Sequence, residues 1–171
     1  MVKRRPIPLS EFRTELVSLL PRLRRFALAL SGSRADAEDL VQSAVERALR
    51  AESRWRDGGR MDSWMFKIVQ NLWIDQRSAA RTPKADLSEA LELTGDDGRD
   101  VVGVRADLRA ARAAYDGLPA EQKAVVALVI VDGAAYKEAA EILGVPIGTI
   151  MSRVARARAA MIAQVSGGVS A

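Results

Sequence analysis

Between Leu9 and Leu30 the apolar residues Phe12, Leu16, Leu19, Leu20, Leu23, Phe26, Ala27 and Leu30 recur at intervals of three and four, which predicts an amphipathic helix. Pro21 lies inside it and is expected to break or kink it, because proline removes a backbone donor and crowds the preceding turn. Ser31-Gly32-Ser33 reads as a turn, and Ser33 and Asp36 stand at capping-box spacing, with Asp for the usual Glu or Gln. A second helix is predicted from about Arg34 to Arg50, with Ala37, Leu40, Val41, Ala44, Val45 and Ala48 on one face. Asp39, Gln42, Ser43 and Glu46 share the other face, and Asp36 and Glu38 fall in the first turn. Acids at a helix start suit its positive end, which explains Asp36 well and Asp39 poorly. An exposed acidic face is the other reading, a docking surface for a protein partner.

Residues 52–63 read as a loop with Gly58-Gly59 at its tip and Trp55 between Arg54 and Arg56. An aromatic flanked by cations suits stacking on an unpaired base; a Trp folded back onto the core fits equally well. The helix expected from Ser63 to about Arg77 carries one stripe at Trp64, Ile68 and Leu72 and a second at Phe66, Gln70, Trp73 and Arg77. Two apolar sides imply either packing between two other helices or a partly exposed face touching nucleic acid. Asn71 lies at the margin, placed to read a base or to tie down the preceding loop.

The pattern fails from Arg81 to about Gly103, a polar, acidic, Gly-containing stretch that reads as a flexible linker. Helix resumes from Val104 to Tyr115 and stops at Gly117-Leu118-Pro119; Ala120 to Val131 is strongly apolar and reads as a central core helix, too short to span a bilayer. The expected architecture is all-α: two small helical domains, 9–80 and 104–165, joined by the linker 81–103, with a disordered arm at 1–8 and a frayed tail at 166–171.

Two short helical patterns meet at Gly144-Val145-Pro146. Ala139, Ala140, Ile142 and Leu143 make a compact apolar face before it; Ile147, Ile150, Met151 and Val154 make a stripe after it. Thr149, Ser152, Arg153 and Arg156 cluster on the opposite side of the second helix, and Arg158 projects toward the stripe. This is either a helix-turn-helix over 135–158 offering hydroxyls and guanidiniums to a major groove or an αα-hairpin with a solvated basic face.

Composition narrows the classes. The chain of 171 residues has no Cys and no His, which excludes disulfides, Cys/His metal sites and His-based acid–base catalysis. The net charge of +4 is uneven: 15 Lys/Arg against 10 Asp/Glu in residues 1–80, 6 against 8 in 81–116, and 5 against 4 in 117–171. A basic excess is compatible with a polyanionic partner. No membrane-length apolar run and no signal core follow the basic start MVKRRPIPLSEF, so a cytoplasmic protein without membrane insertion is expected. The carboxylates lie on solvated helix faces without a nucleophile–base pair, so no enzyme, cofactor or small-molecule substrate is expected.

Four segments in order, DAEDLVQSAVERALR at 36–50, W-x8-W-M-F-K-I-V-Q-N at 55–71, GLPAEQKAVVAL at 117–128 and YKEAAEILGVPIGTIMSRVARAR at 136–158, resemble the group IV, or extracytoplasmic-function (ECF), sigma factors of the bacterial sigma-70 family. The resemblance implies a σ2-like and a σ4-like domain that bind core RNA polymerase and promoter DNA, with an anti-sigma factor as a further expected partner. Asp36, Glu38, Asp39 and Gln42 then match the surface docked on the polymerase. Trp55, Arg56, Lys67, Asn71 and Arg77 match −10 element contacts, where a flipped base needs an aromatic, cationic receiver. Lys137, Thr149, Ser152, Arg153 and Arg156 match −35 contacts. Met151 and Ala155 depart from the basic and bulky residues many relatives carry there. The alternative is a sigma-like decoy that sequesters an anti-sigma factor without binding promoters; an independent helix-turn-helix repressor is a weaker third.

Overall fold

The computed structural model describes residues 9–52, 55, 60–79 and 101–167, with backbone alone for Leu9, 101–107 and Gly167. The arm at 1–8, most of the loop around Trp55, residue 80 with residues 81–100 of the linker, and the last four residues lie outside the described part. Seven α-helices follow in order: α1 (Leu9–Ser31), α2 (Arg34–Arg50), α3 (Met61–Ala79), α4 (Val101–Asp116), α5 (Ala120–Val126), α6 (Tyr136–Leu143) and α7 (Ile147–Gly167), with a π-helical turn, Ala127–Val131, continuing α5. No strand occurs among the described residues.

Local signals account for most boundaries. Ser33 caps α2, its hydroxyl accepting from the Asp36 backbone N–H at 3.4 Å, after a left-handed turn at Gly32. Pro21 does not end α1, which runs through it as one helix. The lost backbone bond lies on the solvated side of the helix, where Val17 and Pro21 are both exposed. Phe12, Leu16, Leu19, Leu23 and Phe26 are buried on both sides of the proline and hold the two segments in line. α3 starts two residues earlier than the stripes suggest, burying Met61 and Met65, and α4 starts at Val101, inside the expected linker. α7 continues through Ser166, where fraying is expected.

α1, α2 and α3 form the first half; α4 to α7 form the second. α3 is buried on two sides, with Phe66, Ile68, Val69 and Trp73 all covered, and it packs against α1 and α2 and also against α6. The packed-between-helices reading of its two stripes is therefore the one the structure realises.

The two halves do not have separate cores. Buried side chains from Phe12 to Trp73 and from Ala124 to Val154 belong to one continuous apolar cluster, with a small satellite of Leu118, Val126 and Ala157 under α4 and α7. The two expected helical regions are both present, and they pack on one another across this cluster. The reason lies in surfaces far apart in sequence: α1 meets the π turn and α3 meets α6, apolar strips edged by opposite charges.

Candidate nucleic-acid and polymerase interfaces

The helix-turn-helix is built as the sequence suggests at its turn. Gly144 ends α6 in the left-handed conformation (φ 66°), with the Val145 N–H returning to the Ala140 carbonyl at 3.1 Å, and Pro146 precedes the first residue of α7. Glycine reaches that backbone region without Cβ strain. Ala139, Ile142, Leu143, Ile150 and Val154 are buried.

The stripe on α7 is narrower than expected and rotated. Ile150, Val154 and Ala157 face the core, whereas Ile147 and Met151 are 48% and 54% exposed. Arg158 is exposed as well, because the core-facing position at that level is Ala157. Only about 100° of a helix can face a single layer of neighbours. Met151 therefore belongs to the outward face.

That face carries Ser152 and Arg156, both exposed and coupled: the Arg156 Nε donates to the Ser152 carbonyl at 3.3 Å and its Nη2 to Ser152 Oγ at 3.4 Å. Ser152 Oγ in turn donates to the Thr149 carbonyl at 3.0 Å; Thr149 is half-buried. Lys137 on α6 is exposed. Arg153 turns inward instead and donates to Glu121 on α5 at 2.5 Å, so its charge is already engaged within the chain.

On α3, Lys67, Asn71 and Arg77 are exposed; Lys67 and Asn71 stand one turn apart, and Arg77 lies about 80–120° around the helix from them. The Arg77 guanidinium lies 5.4 Å from the Trp73 ring centre. Trp55 is folded back: it stacks on Trp64 at 4.7 Å between ring centres and meets Phe12 edge-on at 6.4 Å. Its indole N–H is buried, with no acceptor among the described residues. Arg56 lies outside the described residues. The structure thus gathers Lys67, Asn71 and Arg77 on one helix and gives Trp55 a core contact.

On α2, Asp36, Glu38, Asp39 and Gln42 are all exposed on the face opposite the buried Ala37, Leu40, Val41 and Ala44. Gln42 donates to Glu46 at 3.2 Å and Glu38 pairs with Arg24 at 3.3 Å. Exposed pairs of this kind contribute about 0–1 kcal/mol.

The strongest polar contacts were not among the residues singled out from sequence. The Asp132 side chain, 0% exposed, accepts from Arg22 Nε at 2.8 Å and from Arg25 Nη2 at 2.8 Å. Arg22 also donates to Glu138 at 2.8 Å. Burial opposes the Arg22 charge, but the hydrogen bonds to Asp132 and Glu138 outweigh it and raise the guanidinium's pKa. Arg60 pairs with Asp62 and with Glu141. At the other end, Arg112 donates to the Gly32 carbonyl at 2.8 Å. The ammonium of Lys123, 3% exposed, sits 5.7 Å from the Trp73 ring centre and 5.2 Å from that of Tyr115. Burial lowers the Lys123 pKa, against the opposing pull of Asp116, and burial raises that of the Tyr115 phenol. A single Asp closing a long apolar run was the available signal for Asp132.

A helix-turn-helix with an exposed polar face is thus joined in one chain to a three-helix unit with an exposed acidic face, the two-region plan of a transcription initiation factor. Residues 16–82 match Sigma-70 region 2 and residues 108–161 match Sigma-70, region 4. The chain is 37% identical over 160 residues to the ECF RNA polymerase sigma factor EcfG of Rhodopseudomonas palustris, covering 92% of this chain and 87% of that protein. It is similar to the sigma factor RpoE of Bartonella quintana, solved in complex with the anti-sigma factor NepR, with a TM-score of 0.70, 30% identity, and 92% and 98% of the two chains covered. The fold is also shared with the Bartonella quintana anti-anti-sigma factor PhyR, solved with NepR, at a TM-score of 0.58 and 16% identity over 87% of this chain and 48% of that one. The chain belongs to the ECF RNA polymerase sigma factors of the sigma-70 family. Such proteins direct promoter-specific initiation and are not catalytic enzymes. No described helix is long and apolar enough to cross a membrane.

Proposed function

We propose that three surfaces divide the work of this sigma factor. The exposed acidic face of α2, with Asp36, Glu38, Asp39 and Gln42, docks on core RNA polymerase. Lys67, Asn71 and Arg77, with Trp55 and Arg56 in the preceding loop, meet the −10 element. Thr149, Ser152 and Arg156, with Lys137 beside them, meet the −35 element. Arg153 acts on DNA only after leaving Glu121. The observation that carries this is the exposed Ser152–Arg156 pair on the outward face of α7, hydroxyl and guanidinium donors whose only partners among the described residues lie on their own helix. Arg is the residue most often found bidentate to guanine, and a hydroxyl reads either donor or acceptor.

The likeness to a sigma factor solved with NepR supports control by an anti-sigma protein. The protein would act in the cytoplasm, where the polymerase works. The fold by itself also fits a decoy for an anti-sigma protein, and Arg156 separates the two readings. Purified core polymerase plus this chain should yield promoter-specific transcripts from genomic templates, and Arg156→Ala should abolish most of them while leaving anti-sigma binding intact. No specific transcript from any template would overturn the reading.

A further inference from the structure

One surface of the first half is cationic and belongs to none of the three interfaces above, apart from Lys67 at its edge. Arg22 and Arg25 stand one turn apart on α1, and Arg60 precedes α3. Arg22 lies 5.3 Å from the ring centre of Phe66, which ties it to α3. Apart from Asp62, which holds Arg60 from within the first half, the carboxylates that cover this surface come from the second half. Asp132 takes Arg22 and Arg25, Glu138 takes Arg22, and Glu141 takes Arg60. Ser63 Oγ also donates to the Glu141 carbonyl at 3.3 Å. The Lys67 ammonium abuts the turn of the helix-turn-helix, 4.0 Å from where a Cβ on Gly144 would sit.

We propose that Arg22, Arg25, Arg60 and Lys67 form a phosphate-binding surface for promoter DNA, continuous with the −10 contacts, and that Asp132, Glu138 and Glu141 occupy it in the free chain. The acidic side chains stand where nucleic-acid phosphates would otherwise lie, so the second half masks the first until polymerase or DNA displaces it. With Asp62 already on Arg60, the three carboxylates of the second half bring four against the three guanidiniums and the Lys67 ammonium, which removes the patch's attraction for DNA. Masking also lowers the apparent affinity by the fraction of chains that are open. Opening separates charges, so salt favours it where the pairs are exposed, and the buried Asp132 pair yields last.

This rests on the −10 reading of α3, and the test keeps the two apart. The chain has no cysteine, so Thr14→Cys with Ala163→Cys labels one exposed position in each half for fluorescence energy transfer. The labelled parent should give high transfer that falls on adding a single-stranded oligonucleotide carrying the −10 sequence. Asp132→Asn/Glu138→Gln/Glu141→Gln should show low transfer without DNA and bind that oligonucleotide about tenfold more tightly, within the usual range of coupled equilibria. Because Asp132 is buried, Glu141→Gln alone, at an exposed position, provides a second variant and should shift both readouts in the same direction by a smaller factor. Neutralised chains that stay as compact as the parent and bind no tighter overturn the masking. Opened chains with unchanged affinity overturn the phosphate surface. Failure of the parent to support transcription would instead strike the −10 reading and leave the transfer measurements interpretable.

Discussion

Arg112 reaches from α4 to the turn between α1 and α2 and donates to the Gly32 carbonyl at 2.8 Å. Gly32 is left-handed there (φ 75°), and a Cβ on it would stand 2.4 Å from the Arg112 Nη2. One residue thus combines a backbone requirement in the first half with close approach of a side chain from the second. Gly32→Ala should cost about 1–2 kcal/mol from the left-handed strain alone, and more from the displaced guanidinium. In the Arg112→Ala background the clash is gone and only the strain should remain. Chemical denaturation of the four chains measures the difference.

Arg156→Ala should weaken binding to the −35 element by about 1–3 kcal/mol, with specificity relaxed at one base position. Titration of holoenzyme onto promoter variants at matched salt checks it. Equal affinity for all variants would remove Arg156 from base contact.

Met151→Ala should leave folding stability within about 0.5 kcal/mol of the parent, as exposed positions do. A core methionine would cost about 2–5 kcal/mol. Thermal unfolding distinguishes the two directly. The same variant, assayed on −35 libraries, should lose preference at a thymine, whose methyl group is the natural contact for an exposed thioether.

Asp39→Arg should lower affinity for core polymerase while leaving the unfolding midpoint of the free chain unchanged, since Asp39 is exposed on the side of α2 away from its buried residues. Normal assembly of the holoenzyme would take Asp39 out of that interface.

Asp62 sets an acid limit. Burial raises its pKa, but hydrogen bonds from Arg60 at 2.5 Å and from the Ser63 N–H at 2.6 Å outweigh this and hold it below the ordinary carboxylate range. A folded-state pKa below the unfolded value, about 3.9, means the contribution is complete above that pH and is lost as pH falls through the folded value. Asp62→Asn should therefore flatten the loss of stability below about pH 4, measured as urea midpoints across that range.

The elements governed by neighbours in sequence were legible. The Ser33 cap, the Gly144 exit and Pro146 before α7 each follow from one or two residues and their backbone preferences. The four family segments likewise fall on α2, the loop and α3, α5, and α6 with α7. What failed depends on distant partners. The apolar spacing on α7 permits either Met151 or Ala157 beside Ile150 and Val154, and only the neighbouring helices choose. Pro21 predicts a break unless buried residues on both sides hold the helix together. Trp55 could not be assigned to base or core before Phe12 and Trp64 were seen beneath it. The shared core was least visible, since nothing local links Arg22 with Asp132, 110 residues apart.

The π turn at Ala127–Val131 has a bearing on how this chain tolerates change. Its bonding runs from the Asp132 N–H back to the Ala127 carbonyl, at 3.0 Å, one residue wider than an α-helix. Such a turn is a helix with a spare residue, and losing that residue would heal the spiral at little local expense. The direction of everything downstream would nonetheless swing by about 100°, carrying the carboxylate of Asp132 away from both of its arginines. A deletion that looks harmless on a sequence ruler would thereby uncouple the halves without touching a single charged residue.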